Sequence, residues 1–332
     1  MIKVAMFDSK PYDIDSFNSL KGDNIKIKYF ETKLTEDTAE LAKGYDAVVV
    51  FVNDDVNSAV IEALTGLGVR LIALRCAGFN NVNLKAARDK ISIIHVPAYS
   101  PHAVAEHALG MLLTSVRRIH KAYIRSKDFN FSLNGLTGFN LNGRTMGIIG
   151  TGKIGKVFAR ICRGFGMKIL AYDIYPDKGL DVEYTSLDRI FSESDVISLH
   201  CPLTNDNYHI IDQKAITAMK DGVIIINTSR GSLIDAEDLL EGIKSKKIGG
   251  ACLDVYEEES DLFFEDNSGH IVHDDILARL ISMPNVLITS HQAFLTREAL
   301  ENIADTTLSG ITGYFERGEL TNEVSYEKNK KK

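Results

Sequence analysis

The sequence is poor in cysteine and in long apolar runs, and each shortage excludes a class of protein. Its four cysteines lie far apart, so their spacing indicates neither a zinc site nor a disulfide framework and predicts reduced thiols. No stretch approaches the ~20 consecutive apolar residues of a membrane helix. The residues Met1 to Phe7 are typical of a first β-strand and not of a secretion signal. We therefore expect a cytoplasmic protein that binds no metal and does not associate with a membrane.

Clustered basic charge is also scarce. The formal net charge is −7, and the one basic cluster is the stretch Lys328 to Lys332 at the end of the sequence. Such a cluster is typical of a solvated tail. The charge pattern therefore predicts no nucleic-acid partner.

What the sequence does contain is a regular alternation of short β-branched runs and amphipathic segments. Its 332 residues are enough for two domains, and the runs fall into two groups. The first group comprises Ile2–Phe7, Ile25–Phe30, Ala47–Val52, Val69–Leu74 and Ile91–Val96. The second comprises Thr145–Ile149, Lys168–Tyr172, Asp195–Leu199, Val223–Ile226, Gly250–Leu253 and Val286–Thr289. Strands that alternate with helices predict an α/β fold with two parallel sheets, and six strands are typical of a doubly wound dinucleotide-binding domain.

Two longer helical patterns suggest how these groups are joined. Residues Pro101 to Ser126 predict one long helix that crosses from the first domain to the second. Residues Thr296 to Arg317 predict another helix, whose apolar face must be buried somewhere. If that face packs on the first sheet, the first domain is discontinuous. The predicted domains are therefore 1–99 together with 296–332, and 100–295.

The segment from Thr145 to Gly155 joins a buried apolar strand to a helix start through three spaced glycines. Gly150 permits a tight turn, Gly152 lets the backbone approach a phosphate group, and Gly155 lets the helix pack close to the strand. The helix N-terminus then presents unpaired N–H groups and a positive dipole end to the anion. This arrangement predicts a site for the pyrophosphate of a dinucleotide.

An acidic residue at the end of the next strand indicates which dinucleotide is bound. The run after the glycine segment ends at Asp173, about 20 residues past the glycines. A carboxylate there hydrogen-bonds the adenosine ribose hydroxyls and repels a 2′-phosphate. Ile174 follows it, where an arginine would favour the phosphorylated cofactor. The sequence therefore predicts NAD.

Polar residues follow the later strands of the second group, where ligands bind in an open parallel sheet. These segments are His200-Cys-Pro202, Asn227-Thr-Ser-Arg230, Asp254-Val-Tyr-Glu-Glu-Glu259 and Ser290-His291. The planar guanidinium of Arg230 suits a carboxylate, and a bare charge directly after an apolar strand would be costly without an anion. The alternative for a lone arginine is a structural salt bridge.

His291 is a candidate general acid/base because a histidine titrates near neutral pH. It could give a proton to a carbonyl oxygen as hydride reaches the carbon, and take it back in the reverse direction. A nearby carboxylate would raise its pKa and fix its tautomer. The candidates for that carboxylate are Glu259, Glu258, Glu257 and Asp254, and periodicity does not choose among them.

Four segments together resemble the signature stretches of one family, in that family's order. They are Gly150-Thr-Gly-Lys-Ile-Gly155, Asn227-Thr-Ser-Arg-Gly231, Asp254-Val-Tyr-Glu-Glu-Glu259 and His291-Gln-Ala-Phe294. On these residues the chain is similar, from Met1 to about Asn322, to the D-isomer-specific 2-hydroxyacid dehydrogenases. Asp261-Leu-Phe-Phe-Glu-Asp266 and Ala293-Phe-Leu-Thr296 resemble the fermentative D-lactate dehydrogenase branch in particular. The resemblance implies a flavodoxin-like substrate domain and a Rossmann NAD-binding domain with a cleft between them.

The resemblance also implies a role for each site residue. Arg230 would bind the substrate, His291 would be the general acid/base and Glu259 its partner. Further substrate-binding residues would be Ala77, Gly78, Tyr99 and Phe294. The residues implied to bind NAD are Gly150, Thr151, Gly152, Lys153, Ile154, Gly155, Asp173, His200, Pro202, Asn207, Thr228, Ser229, Asp254 and His291.

The implied reaction is the reversible reduction of pyruvate to D-lactate by NADH, in a homodimer or homotetramer. Two alternatives stay open at this point. The substrate could be a bulkier 2-ketoacid of the hydroxyisocaproate or phenyllactate type. The same fold also serves in an NAD-sensing corepressor that binds peptides.

Overall fold

The computed structural model describes residues 1–258 and 262–329, with the backbone alone at 328 and 329, and these residues form two compact units. Unit 1 comprises Met1–Ser100 and the chain from Phe294 onward, and unit 2 comprises Pro101–Ala293. Three residues of the terminal basic stretch, Lys330 to Lys332, lie outside the described residues.

The elements alternate along the chain as a doubly wound fold requires. The described strands are β1 (Ile2–Met6), β2 (Ile25–Tyr29), β3 (Ala47–Val50), β4 (Leu71–Leu74), β5 (Ser92–Ile94), β6 (Thr145–Ile149), β7 (Lys168–Tyr172), β8 (Glu183–Tyr184), β9 (Val196–Leu199), β10 (Val223–Asn227), β11 (Ile248–Leu253) and β12 (Val286–Ile288). The described α-helices are α1 (Pro11–Leu20), α2 (Ser58–Gly66), α3 (Leu84–Ala87), α4 (Pro101–Val116), α5 (Ile119–Lys127), α6 (Lys153–Gly164), α7 (Leu187–Glu193), α8 (Gln213–Ala218), α9 (Ala236–Lys244), α10 (Asp275–Ser282), α11 (Arg297–Thr312) and α12 (Tyr326–Asn329).

Unit 1 contains a five-stranded sheet in the order β2-β1-β3-β4-β5, with every pair parallel. This is the flavodoxin-like order. All residues of β3 and β4 are buried, which explains why these strands appear in the sequence as continuous apolar runs. Helix α11 packs against α1 and β4 of this sheet. Thr296 caps it by accepting a hydrogen bond from the N–H of Ala299 at 3.2 Å.

Unit 2 contains a seven-stranded sheet in the order β12-β11-β10-β9-β6-β7-β8, again with every pair parallel. Side chains alternate between two apolar clusters, so that Ile224 and Ile226 face one cluster and Ile225 faces the other. The prediction of two doubly wound parallel sheets is confirmed. The chain reverses its direction across the sheet between β6 and β9, which places the ligand-binding switch point beside the end of β6.

The prediction of six strands in the second group was wrong by one. The additional strand β8 contains two residues at the edge of the sheet, pairs with β7, and has no buried side chain. A half-exposed strand of this length produces no apolar run, so periodicity does not reveal it.

The prediction of one helix from Pro101 to Ser126 was also wrong. The helix ends at Val116, and α5 begins after Arg118, whose φ of +54° lies in the left-handed region. Helix α4 buries the predicted face against α6 and β11, whereas α5 has no buried residue. Because α5 makes no core contact that would keep it in line with α4, a single left-handed residue redirects the chain.

The described cysteines form no disulfide, and three of them are fully within the core. Burial raises the pKa of Cys162 and of Cys252 to about 12, so both remain protonated thiols. In the part of the chain that the structure describes, no helix is both long and apolar enough to cross a bilayer.

Candidate active site

The glycine segment adopts the geometry that its spacing predicts. Gly150 has a φ of +97°, and a Cβ atom there would stand 2.6 Å from the carbonyl carbon of His200. A Cβ atom on Gly155 would stand 2.0 Å from the carbonyl oxygen of Gly150. Gly152 differs, because no atom lies within 4 Å of its hypothetical Cβ. The first and third glycines thus pack the turn together, and the second leaves room in front of α6.

The open position lies at the N-terminus of α6. Gly152 is the capping residue of that helix, and no side chain forms a capping hydrogen bond there. The first turn, which contains Lys153, Ile154 and Gly155, therefore presents backbone N–H groups and the positive end of the helix dipole. Such a cradle fits the pyrophosphate of a dinucleotide.

Asp173 is held in place at the end of β7. One carboxylate oxygen accepts hydrogen bonds from the Thr151 N–H at 2.6 Å and from the Thr151 hydroxyl at 3.0 Å. The other accepts from the Tyr175 N–H at 2.8 Å. The Thr151 hydroxyl also lies 2.9 Å from the hydroxyl of Tyr184, a residue of β8. The unanticipated edge strand thus helps to orient the acid that would meet the ribose.

Two buried polar atoms at the same edge of the sheet as the glycine segment have no hydrogen-bond partner among the described residues: His200 Nδ1 and Thr228 Oγ1. They follow β9 and β10, which are adjacent in the sheet. Burial lowers the pKa of His200 to about 3, so the imidazole is neutral, and its Nε2 lies 2.9 Å from Ser198 Oγ. Because buried polar atoms in native proteins are normally paired, these two atoms fit a ligand at this edge.

Three other residues implied to bind NAD form hydrogen bonds within the protein: Pro202, Asn207 and Ser229. The Asn207 side chain donates to the Pro202 carbonyl at 2.7 Å and accepts from the Thr204 N–H at 2.7 Å. The Ser229 hydroxyl donates to the Leu199 carbonyl at 2.8 Å. These side chains therefore shape the loops after β9 and β10 through bonds within the protein.

Asp254 follows β11 and is fully buried. One carboxylate oxygen accepts from the Thr289 hydroxyl at 2.5 Å and the Gln292 N–H at 2.9 Å, and lies 3.3 Å from His107 Nε2. The other accepts from the Ala293 N–H at 2.8 Å. Burial alone would raise the pKa of Asp254, but the bonds from His107, Thr289 and Ala293 outweigh it and hold that pKa below its ordinary value.

His291 lies on the segment that Asp254 holds. Its N–H donates to the Asp254 carbonyl at 2.7 Å, and its φ of +54° is uncommon for a residue with a side chain. Its ring lies 5.7 Å from the ring of Phe264. Such a backbone conformation persists only where surrounding contacts over-determine it, and the bonds to Asp254 supply them. Glu259, the acid that the resemblance pairs with His291, lies outside the described residues.

Arg230 follows β10 and is half-buried. Its Nη1 donates to the Ser229 carbonyl at 2.6 Å, and its own carbonyl accepts from the Asn227 side chain at 2.8 Å. Within the described residues no ion pair involves Arg230, so a structural salt bridge does not explain this charge. Arg230, Asp254 and His291 follow the neighbouring strands β10, β11 and β12, and parallel strands bring these segments to one edge of the sheet.

Of the residues implied to bind substrate from unit 1, Ala77, Gly78 and Tyr99 follow β4 and β5, and Phe294 is the first residue of the second part of that unit. The Ala77 carbonyl lies 2.9 Å from His95 Nδ1, and the Gly78 carbonyl accepts from the Cys76 thiol at 3.2 Å. The ring of Tyr99 lies 6.3 Å from the ring of Phe294. Phe294 is buried, and the rings of Tyr12 and Phe51 also surround it, at 6.4 and 5.9 Å.

Two residues that support the site were missed by sequence reasoning. His107 of α4 reaches Asp254, and no motif around it signals that role. Arg75 is fully buried and donates to Asp13 and to the carbonyls of Phe7 and Asp8 at 3.2, 3.1 and 2.6 Å. Its guanidinium also covers the ring of Phe51, at 4.6 Å from the ring centroid. One indication in the sequence that Arg75 is buried and paired is that this charged residue directly follows an apolar strand.

The chain is similar to known proteins over nearly its whole length. The family model described as D-isomer specific 2-hydroxyacid dehydrogenase, NAD binding domain, matches residues 109–293. The chain is 52% identical to D-lactate dehydrogenase of Escherichia coli over 96% of this chain and 98% of that protein. The apo-structure of that enzyme matches with a TM-score of 0.90 and 50% identity over 97% of this chain and all of the other. The NAD-complexed D-isomer-specific 2-hydroxyacid dehydrogenase of Lactobacillus delbrueckii ssp. bulgaricus matches with a TM-score of 0.83 and 30% identity, covering 97% of this chain and 100% of that one.

The open position at Gly152 predicts a variant that folds but does not bind dinucleotide. Alanine is compatible with its φ of −65°, and the added Cβ meets no protein atom within 4 Å. Gly152→Ala should therefore keep its stability, while its affinity for NADH falls by about tenfold or more because the methyl group occupies phosphate space. Titration by NADH fluorescence measures this. Gly164→Ala, at the other end of the same helix and equally open, should bind as the wild type does. Unchanged affinity in Gly152→Ala would place the pyrophosphate elsewhere.

The lowered pKa of Asp254 predicts how stability depends on pH. Because its folded-state pKa lies below the ordinary value of 3.8, its stabilisation is complete above that value and is lost as the pH falls through the folded-state pKa. Asp254→Asn should lower the unfolding free energy by roughly 1–3 kcal/mol at neutral pH. The deficit should shrink on acidification to about pH 3, as measured by urea unfolding. Asp206→Asn, at an exposed position of the same unit, should show no comparable deficit. A deficit that does not vary with pH would contradict the assignment.

Proposed function

The chain belongs to the D-isomer-specific 2-hydroxyacid dehydrogenase family, and on that premise we propose that it is a D-lactate dehydrogenase that reduces pyruvate with NADH. The observation that carries the proposal is the shared sheet edge. Arg230, Asp254 and His291 follow the adjacent strands β10, β11 and β12, and β9 alone separates β10 from β6, which leads into the glycine segment. Pyruvate is chosen over larger 2-ketoacids because relatives with about half of their residues identical carry the name D-lactate dehydrogenase.

The protein is an NAD-dependent dehydrogenase, and we propose that unit 2 holds the cofactor. Gly152 and the first turn of α6 would bind the pyrophosphate, and Asp173 the adenosine ribose. His200 Nδ1 and Thr228 Oγ1, which have no hydrogen-bond partner among the described residues, are available to bond the cofactor. When bound, NADH supplies the hydride for the substrate carbon. Lys153 and Ser229 belong to the same proposed contact surface.

We propose that Arg230 binds the substrate carboxylate and polarises its keto group. A guanidinium offers two parallel N–H donors to a carboxylate and a further one to a neighbouring oxygen. Negative charge grows on the keto oxygen as the carbon is reduced, so this contact strengthens in the transition state. The backbone N–H groups of Ala77 and Gly78 are the proposed second anchor of the carboxylate, and Tyr99 and Phe294 the proposed neighbours of the substrate methyl group.

His291 is the proposed proton donor. Its imidazolium would transfer one proton to the keto oxygen as the hydride reaches the carbonyl carbon, which converts C=O to CH–OH and leaves a neutral imidazole. Glu259 would stabilise the charged form and fix its orientation. The bonds between Asp254 and the chain from His291 to Ala293 support this role because they fix the backbone that carries the imidazole.

The proton-transfer role predicts a selective loss in His291→Ala. Turnover should fall by roughly 10²–10⁴-fold, while the dissociation constant for NADH stays close to the wild-type value. Steady-state kinetics with pyruvate and NADH fluorescence titration separate the two quantities. His270→Ala replaces an exposed histidine of the same unit and should leave both unchanged. Wild-type turnover in His291→Ala would remove this residue from the mechanism.

The substrate itself is tested by comparing kcat/KM for pyruvate, 2-ketoisocaproate and phenylpyruvate with the wild-type protein. Preference for pyruvate supports the proposal. Preference for a bulkier acid would retain the reaction class and overturn the substrate. Failure to oxidise NADH with any of them would favour a binding function, to be sought in a pulldown of peptide partners.

We also propose that the protein is a homo-oligomer in which a second copy covers the α5 surface. This surface comprises exposed apolar side chains of α5 and the loop after it: Ile119, Tyr123, Ile124, Phe129, Phe131 and Leu133. A contiguous exposed apolar patch of this kind is typical of an interface, and a two-fold axis would bury the same patch on both copies. The proposed compartment is the cytoplasm, which keeps the cysteine thiols reduced.

The α5 surface predicts that one charge disrupts the assembly. Phe131→Asp should lower the mass measured by light scattering to that of a single chain, because a carboxylate would be buried at the contact. Ile281→Asp places the same charge at an exposed apolar position on α10 and should leave the mass unchanged. A wild-type protein that is already monomeric would overturn the proposal.

A further inference from the structure

His209 connects two of the segments that form the proposed active site. It lies in the loop between β9 and α8, and both of its ring nitrogens face carboxylates. Nε2 lies 2.6 Å from an oxygen of Glu257, which follows β11, and Nδ1 lies 3.2 Å from an oxygen of Asp235, which caps α9. A neutral imidazole carries one N–H, so only the imidazolium can donate to both carboxylates.

The backbone at His209 is held in an uncommon conformation by neighbouring contacts. Its φ is +51°, in the left-handed region that residues with a side chain rarely adopt. Its N–H donates to the Ser232 carbonyl at 2.9 Å. The ring of Tyr208 stacks on the imidazole at 3.9 Å, and the Tyr208 hydroxyl donates to the same Glu257 oxygen at 3.1 Å. Strain of this kind is a feature of sites where the position of a side chain matters.

His209 contacts the turn that follows Arg230. Ser232 belongs to the short 3₁₀ turn Gly231–Leu233, and the Leu233 N–H donates to the Arg230 carbonyl at 3.2 Å. The turn is pressed against the chain after β11, since a Cβ atom on Gly231 would stand 2.0 Å from the carbonyl group of Tyr256. His209 contacts the turn through its backbone N–H and the chain after β11 through its side chain, which also contacts Asp235 just after the turn.

We propose that His209 is a positioning residue that fixes the Arg230 turn relative to the Tyr256–Glu257 segment. The inference rests on the proposed function, in which Arg230 binds the substrate carboxylate and Glu259, two positions after Glu257, partners His291. His209 itself touches neither substrate nor cofactor in this proposal. Its effect is to keep the guanidinium in the orientation that hydride transfer requires.

The test is the kinetic behaviour of His209→Gln in the full-length protein. Glutamine can bond one of the two carboxylates but cannot connect both, so kcat/KM for pyruvate should fall by roughly 10- to 100-fold. NADH affinity and Tm should stay at their wild-type values. The primary isotope effect with NADH deuterated at the transferred position should rise, because a misplaced carboxylate anchor slows hydride transfer relative to product release. A purely structural role would not move the isotope effect.

Two further variants sharpen the result. Tyr208→Phe removes one hydrogen bond to Glu257 and keeps the contacts of the His209 imidazole with Glu257 and Asp235. Its kcat/KM for pyruvate should therefore fall less than that of His209→Gln. His273→Gln makes the same substitution at an exposed histidine of unit 2 and should match the wild type. Wild-type kcat/KM in His209→Gln would overturn the inference alone, and so would a loss accompanied by lowered Tm and lost NADH binding. A wild-type protein inactive on every 2-ketoacid would overturn the proposed function and this inference together.

Discussion

The proposed active-site edge of unit 2 depends on the hydrogen bonds that compensate the charge of one buried carboxylate, Asp254. Asp254 lies beneath the surface, where an ionised side chain is costly unless donors surround it. The groups around the Asp254 carboxylate are the Thr289 hydroxyl, His107 of α4, and two consecutive backbone N–H groups after His291. The need to satisfy the charge and the need to hold His291 in a left-handed conformation are thus met by the same set of bonds.

The parallel sheet explains why such groups gather where they do. Within β9, β10 and β11 nearly every side chain is buried, and most of these side chains are apolar. Polar side chains are concentrated at the carboxyl ends of these strands and just beyond them, and adjacent strands end side by side. His200 and Asp254 directly follow β9 and β11, and Asn227 is the last residue of β10. His200 contacts Ser198 of its own strand, Asn227 bonds the loop after β10, and Asp254 bonds residues of α4 and of the chain after β12. The geometry of the site therefore depends on contacts between loops, of which the Asp254 and His209 networks are the main examples.

Much of this architecture is encoded locally and could be predicted. Thr145–Ile149 and Lys168–Tyr172 are found with the expected bounds, because strands buried on both faces leave an uninterrupted apolar run. The glycine segment was equally legible, since its three glycines serve three steric needs within a single turn. The features that escaped prediction depend on distant partners. Strand β8 forms because it can pair with the outer edge of β7. The helix ends near Arg118 because the residues of α5 are not buried against the core.

The side-chain networks show the same division. His107 and Asp254 are far apart in the chain, and Arg75 finds its acceptors near the first strand, so no local pattern signals either network. The choice of partner for His291 is instructive as well. Residue chemistry left four acids open, and the structure shows that two of them, Asp254 and Glu257, are already engaged by other histidines. Such engagement is a property of the fold and is invisible in the order of the residues.

The discontinuity of unit 1 has a consequence for biosynthesis. Helix α11 packs on α1 and β4, yet the whole of unit 2 separates it from them along the chain. A nascent polypeptide therefore emerges with its first sheet lacking one covering helix. The central Rossmann unit is one continuous segment, so it can fold before α11 has been synthesised. Closure of such distant contacts is slow, so the amino-terminal sheet keeps apolar surface exposed until α11 has left the ribosome.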